Sequence, residues 1–306
     1  MGDTKISWAD KTWNPISGCS KISEGCQHCY AERMSKRLAG RCGYDKINPF
    51  QVTLHPGKMH EPMHWRKPSR IFVCSMGDLF HDYVEEMDIL TMFAVMAETP
   101  HHTYMVLTKR PKRMKEILTS RTIANDVWLM TATGINDERP IWPLPNVWLG
   151  VTAENQARAD ERIPILLQTP AAKRFVSVEP MLGAVDLTQW IREVPVHPGL
   201  CFHGGRYGST PKLDWVICGG ETGPGARPLH PDWVRSLRDQ CKVADTPFFF
   251  KSWGEYCFPS QLLNNGSKSY TDEEDPSKWS QWKVGKKNAG RLLDGQEWNQ
   301  FPEVPS

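Results

Sequence analysis

No stretch of this chain approaches the roughly 18–20 consecutive apolar residues that span a bilayer. Its start, MGDTKISWADKTW, also lacks the apolar segment of a secretory signal. A cytoplasmic protein with no membrane partner is the expectation. Charge of one sign is scarce as well: 37 Lys and Arg against 35 Asp and Glu leave a net of +2. That is far from the excess of a protein that coats DNA, so a DNA or RNA partner is permitted without being required. The glycines of GGETGPGARP (219–228) are not followed by the Gly-Lys-Ser/Thr of a phosphate-binding loop. No repeat of solenoid period is present, which excludes a stacked-repeat architecture.

Cysteine is not scarce. There are nine, an odd number, and in a reducing compartment they read as ligands or reactive thiols rather than as a disulfide framework. Three fall close together in SGCSKISEGCQHCYAERM: Cys19, Cys26 after six intervening residues, and Cys29 after two more. Four-cysteine zinc sites generally come as two close pairs, and here there is one pair and an outlier. Three thiolates leave an open coordination position, as a [4Fe–4S] cluster held by three cysteines leaves one iron free. The spacing leaves a second possibility, a structural zinc completed by a histidine such as His28 or His64. Cys74 and Cys218 lie in apolar runs and are expected to be core. Cys42, Cys201, Cys241 and Cys257 show no ligand spacing.

Short β-branched and aromatic runs recur along the chain. They are KTWNPIS (11–17), RIFVCSMGDLFH (70–81), TYMVLTKRP (103–111), VWLGVTAEN (147–155), KRFVSVEPML (173–182), DWVICGGETG (214–223) and PFFFKSWGE (247–255). Continuous apolar runs suit strands buried on both faces of a parallel sheet. Helical patterns alternate with them. In residues 83–98 the positions Tyr83, Met87, Leu90, Phe93 and Ala97 form one stripe, and His230-Pro231-Asp232 reads as a helix start. The alternation predicts an α/β fold built from βα units. Six runs end in Asp78, Lys109, Glu154, Glu179, Glu221 and Lys251. Ligands bind at that edge of barrels and open α/β sheets, so these six are expected at one pole.

The repeat spans residues 1–257, with the cysteine loop at 17–30 and insertions near 41–69 and 194–212; residues 258–306 are expected to be a C-terminal extension packing on it. Of thirteen tryptophans, Trp148, Trp190, Trp215 and Trp233 read as core. Trp8, Trp13, Trp65, Trp253, Trp279, Trp282 and Trp298 lie in loops or the tail, where they could stack on bases or anchor loops to the body. The basic run LTKRPKRMKE (107–116) cannot place all its charges on one helix face. It reads as a solvated surface or as a phosphate-contacting edge.

A three-cysteine loop at the top of the first strand resembles the radical S-adenosylmethionine (radical SAM) superfamily. Its members usually space the cysteines by three and two residues, often with an aromatic before the last. Here the first interval is six and His28 holds the aromatic position. The segments TWNPISGC, GCQHCYAER, SMGDLFH, VTAEN, SVEPM, WVICGGETGPGARP, FFFKSWGE and GRLLDGQEW resemble, over nearly the whole chain, a bacteriophage-associated family of radical-SAM-like proteins. The resemblance implies a partial (β/α) barrel of about six to seven parallel strands. It further implies a [4Fe–4S] cluster on Cys19, Cys26 and Cys29, and SAM bound beside it. Gly77 and Asp78 would take its amino group, Lys109 its carboxylate, and Thr152, Glu154 and Asn155 its ribose or carboxylate. Glu179, Glu221 and Lys251 would face the substrate. An external donor would supply the electron that cleaves SAM to a 5′-deoxyadenosyl radical. A nucleic-acid base or nucleotide, modified or repaired, is the first expectation for the substrate. The alternatives are a small metabolite or peptide, or a zinc-stabilised nucleic-acid-binding protein without catalysis.

Overall fold

The computed structural model describes residues 4–131, 139–193, 210–257 and 282–303. Strand β1 (Lys11–Trp13) leads into β2 (Ile16–Ser17), the cysteine loop and helix α1 (Tyr30–Leu38). Strand β3 (Thr53–Leu54), from the insertion at 41–69, pairs antiparallel with β2. Then come β4 (Arg70–Val73), α2 (Glu86–Glu98), β5 (Thr103–Thr108), α3 (Pro111–Leu118), α4 (Ile123–Leu129), β6 (Val147–Thr152) and α5 (Gln156–Leu167). β7 (Lys173–Val178), α6 (Thr188–Ile191), β8 (Trp215–Cys218), α7 (Pro231–Val243) and β9 (Phe248–Phe250) complete the repeat. Seven strands, β1-β4-β5-β6-β7-β8-β9, pair in parallel in that order and curl into a half-barrel. This is the expected partial (β/α) barrel.

Alternation along each strand sorts the side chains. Ile71, Val73, Tyr104, Val106, Val147, Leu149, Val151, Val176, Val178, Val216, Phe248 and Phe250 pack with the helices into one large core. The intervening residues Met105, Trp148, Phe175, Trp215, Ile217 and Phe249 form a second core on the concave side, joined by Trp8 and by Phe72, Leu107 and Phe301. Both faces are buried, which is why the strands read as unbroken apolar runs. Gly150 is required there, because the ring of Phe175 comes within 2.5 Å of where a Cβ would stand.

One expectation changes, and one pair of alternatives is decided. In α2 only part of the stripe is buried: Leu90 and Phe93 are, but Tyr83 precedes the helix and is 81% exposed, and Met87 is 56% exposed. Ile89, Met92, Ala94, Val95 and Met96 are buried as well, because α4 and the turn at Glu61–His64 cover the helix on sides the sheet does not. Trp8, Trp13 and Trp253 are buried rather than available to bases. Trp65, Trp282 and Trp298 pack partly against the main core as anchors. Trp279, residues 194–209 of the second insertion and residues 258–281 of the tail lie outside the described residues.

At the end of the repeat β10 (Tyr256–Cys257) pairs antiparallel with β11 (Trp282–Lys283) of the tail, which also carries α8 (Lys286–Ala289). Residues 298–300 then run antiparallel along the outer edge of β9. Phe250 N–H donates to the Trp298 carbonyl at 2.9 Å, and Gln300 N–H to that of Phe248 at 3.2 Å. The last strand's open edge is thereby covered. Among the described residues no helix is long and apolar enough to cross a membrane.

Candidate functional site

A cavity of about 270 Å³ opens at the C-terminal ends of the strands. Ile6, Trp8, Phe72 and Leu107 line its apolar part; Lys109, Thr152, Ser177, Glu179, Glu221 and Lys251 supply polar walls. Continuing the strand alternation puts Lys109, Thr152, Glu179 and Lys251 in the same inward register as Trp148 and Trp215.

Cys19, Cys26 and Cys29 all line this cavity, as half-buried free thiols. Gly18 starts their loop at a φ of +87°, bridged to Gly77, where an added Cβ would lie 2.0 Å from the Gln51 carbonyl oxygen. Glu24–Cys26 forms one 3-10 turn, and Cys29 is the residue before α1. The loop is held by charged groups from four later elements. Glu154, fully buried, sits beneath it: Oε1 accepts from Ser23 Oγ at 2.5 Å, and Oε2 accepts from Arg162 Nη1 at 2.9 Å. Arg158 donates twice to Glu24, at 3.1 Å each. Arg227 grips the Glu221 carboxylate with Nε at 2.8 Å and Nη2 at 2.7 Å, and reaches the Glu24 carbonyl at 3.0 Å. Gly225 packs so closely under the ring of His28 that a Cβ would stand 2.6 Å from it. The glycines of GGETGPG therefore let one loop close down on another.

Arg110 makes the remaining contact. Nη1 donates to Cys19 Sγ at 3.4 Å and to Asp78 Oδ2 at 3.2 Å; Nη2 donates to the carbonyl and hydroxyl oxygens of Ser20 at 3.2 and 2.8 Å. His81 Nδ1 accepts from Tyr83 N–H at 3.1 Å, so its Nε2–H faces Ser20 Oγ at 2.8 Å. Burial, then the charge of Arg110, lowers its pKa.

The sequence-predicted residues divide. Gly77, Asp78, Lys109, Thr152, Glu179, Glu221 and Lys251 line the cavity with the three cysteines. Asp78, however, is filled from within. Oδ1 accepts from Phe80 N–H at 3.0 Å and Thr108 Oγ1 at 2.7 Å, and Oδ2 from Lys109 N–H at 3.1 Å and Arg110. With about four acceptor positions per carboxylate, it is an internal hub rather than a free partner for an ammonium. Glu154 supports the loop from below. Asn155 caps α5, accepting from Arg158 N–H at 3.0 Å, and takes no part in the cavity wall. Glu221 is bound to Arg227, and Glu179 accepts a hydrogen bond from Lys251 Nζ.

Arg110, Arg158, Arg162 and Arg227 were not singled out as site residues by the sequence. For Arg110 a signal exists: it precedes Pro111, which disfavours helical geometry, so it belongs to the strand end and not to a face of α3. Arg113 also turns inward, donating to the carbonyls of His81 and Val84, while Lys112 stays exposed.

Burial pushes the Cys19 thiol up to about 11, with Asp78 adding and Arg110 opposing. Burial acts likewise on Cys26, but the charge of Lys109 and hydrogen bonds from Ile22 and Ser23 bring it below the ordinary thiol value. Glu154 is held below the usual carboxylate range: burial raises it, but Lys109, Arg162 and Ser23 outweigh that.

The three thiols share one cavity without converging on a point. Among the described residues no three His, Cys, Asp or Glu side chains are close enough to hold one metal ion. Three free thiols around a cavity, with Arg110 and Lys109 to balance thiolate charge, suit by their chemistry a cluster whose irons take ligands at separate corners.

Fold and site define a parallel half-barrel α/β protein with a three-thiol mouth. The chain belongs to the family described as "Protein of unknown function (DUF5131)", whose model matches residues 3–302. Comparison with curated proteins gives no significant match. Among solved structures, spore photoproduct lyase complexed with dinucleoside spore photoproduct aligns with a TM-score of 0.41 at 9% identity, over 78% of this chain and 63% of that one. A cysteine-to-alanine mutant of that lyase aligns at 0.40 and 11%, over 80% and 75%. The same mutant with the dinucleoside aligns at 0.36 and 11%, the chain spanning only 48% of its length. At that identity the likeness is one of shape.

Proposed function

We propose that this protein is a radical SAM enzyme whose [4Fe–4S] cluster is held by Cys19, Cys26 and Cys29. The observation that carries the reading is that all three thiols open onto one cavity at the C-terminal mouth of a parallel half-barrel. Such a cluster, with SAM, supplies one-electron chemistry that no amino-acid side chain provides. The chain's own residues would do the rest. Lys109 and Thr152 present donors to a cosubstrate next to the thiols; Trp8, Phe72 and Leu107 keep water from the cavity's apolar part. Glu179 and Lys251 form the side farther along the sheet, from β7 and β9, where a substrate would be oriented. An external protein or small-molecule reductant would deliver the electron.

For the substrate we propose a nucleic-acid base or nucleotide. Tyr30, 58% exposed, and Ile22, 40% exposed, stand at the rim of the cavity on the cysteine segment, which also carries Lys21, Lys36 and Arg37. An exposed ring at the rim of a cavity suits base stacking.

The test is the iron, sulfide and zinc content of anaerobically purified protein beside a Cys19→Ala/Cys26→Ala/Cys29→Ala variant. About four irons per chain, lost in the variant, and 5′-deoxyadenosine on reduction with SAM are expected. About one zinc and no iron after reconstitution would overturn the enzyme reading. Single-stranded DNA and RNA binding that weakens with salt, and weakens further in Tyr30→Ala, is expected for the substrate; salt-independent or absent binding would turn it toward a small metabolite or peptide.

A further inference from the structure

The three thiols are not equivalent in their surroundings. Cys26 accepts or donates to Ser23 Oγ at 3.6 Å and feels Lys109 through space, whereas a guanidinium N–H points at Cys19 Sγ. That guanidinium is fixed. Four contacts from its two terminal nitrogens engage Cys19, Asp78 and both oxygens of Ser20, and the residue is 9% exposed. Asp78 is fixed in turn by Thr108 Oγ1 and two backbone N–H groups, and Ser20 by His81. Nothing in this arrangement is needed to close the barrel: α3 begins at Pro111 regardless, and Cys19 is already placed by its backbone N–H bond to the Phe50 carbonyl at 3.2 Å. A buried cation with an aimed donor, braced by a carboxylate hub, is costly to assemble around a mere surface loop.

We infer that Arg110 is a positioning residue for the cluster: it orients Cys19 and raises the reduction potential of the iron bound there. The inference rests on the cluster reading given above. A hydrogen bond to a ligating sulfur withdraws electron density from iron, and a nearby positive charge favours the more negative, one-electron-reduced form; both move the potential upward. The planar fork meets Asp78, Ser20 and Sγ at once, which an ammonium on a flexible stem cannot do.

The experiment measures the cluster's potential by anaerobic redox titration with dithionite, monitored by electron paramagnetic resonance, together with iron content and melting temperature. Arg110→Gln with iron retained is expected to shift the potential negative. Arg110→Lys, which keeps the charge and loses the fork, should shift it less. Ser20→Ala removes one brace without touching the charge and should leave iron content unchanged with a small negative shift. Wild-type protein that takes up no iron defeats the cluster reading itself. Wild-type protein with iron, and a potential unmoved in Arg110→Gln, overturns the role of Arg110 alone. Should Arg110→Gln fold without holding iron, or fail to fold, an unmoved potential in both Arg110→Lys and Ser20→Ala overturns it equally.

Discussion

The floor and the mouth of the half-barrel are made by the same inward face of the same strands, two to six residues apart. At the floor, Trp215 meets the rings of Trp8, Trp148, Phe175, Phe249 and Phe301 with centroids 5.1–6.3 Å apart. At the mouth that register holds Lys109, Glu154, Glu179 and Lys251, none of them left alone. The floor is stabilised by area and ring packing, which are forgiving of direction. The mouth depends on paired charges in a semi-buried place, where each pair contributes little net but losing one partner is costly. Stability and chemistry are thus separated along one strand rather than between domains.

Two substitutions would break the comparison if it were wrong. Trp215→Ala removes the shared ring of the floor and the Trp215 Nε1–H bond to the Gln300 carbonyl at 2.9 Å. It should cost about 3–5 kcal/mol in urea denaturation; a loss under about 1 kcal/mol would mean the floor is not the source of stability. Glu154→Gln is nearly isosteric, but leaves Arg162, 1% exposed, without its charge partner. A loss of about 3 kcal/mol is expected, with the Glu154→Gln/Arg162→Met pair closer to wild type than Glu154→Gln alone. Two changes that simply add would show the pair to be uncoupled.

The floor was legible in the sequence and the bracing of the mouth was not, for a physical reason. Trp148, Phe175 and Trp215 sit in continuous apolar runs that declare both strand and burial. The cysteine spacing and the polar strand ends likewise announce themselves locally, and most of those ends meet at the cavity. Arg158, Arg162 and Arg227, by contrast, lie in helix or loop stretches that read as ordinary solvated charge. Arg162 is paired with Glu154, eight residues away, and Arg227, held by Glu221, reaches the Glu24 carbonyl some two hundred residues earlier. Periodicity reports which face is apolar, not which distant loop will close over a charge.

A smaller effect tests where the floor ends. Gln300 Oε1 accepts from Phe248 N–H at 2.9 Å while its carbonyl accepts from Trp215. Gln300→Ala leaves the Phe248 donor unpaired at a buried edge, which should cost about 1–3 kcal/mol. It also removes one of the contacts that hold residues 298–300 along β9, whose backbone bonds remain, and should modestly raise aggregation during refolding. Iron content, a property of the mouth, should not change. If it fell, the tail would be coupled to the cysteines and the two regions would not be separable.

The slightest expected effect is on pH. His102, immediately before β5, is 1% exposed; its Nε2 faces the Pro62 carbonyl at 3.3 Å and its Nδ1 has no partner. A second proton would be buried there with no acceptor. Burial, and secondarily His101, lowers its pKa from 6.5; burial and then Lys58 do the same for His55. The unfolded chain therefore binds protons more readily than the folded one once pH drops below about 6.5. Stability should be level above that pH and decline below it, until the folded-state values are passed. Glu154 and Glu221 at the mouth stay ionised in this window, since both titrate below the usual carboxylate range. Urea melts between pH 7.5 and about 5 should show a decline that becomes shallower in His102→Gln. An unchanged slope would place the acid sensitivity elsewhere, at His55 or at His81 beside the cysteine loop, whose pKa burial and Arg110 lower.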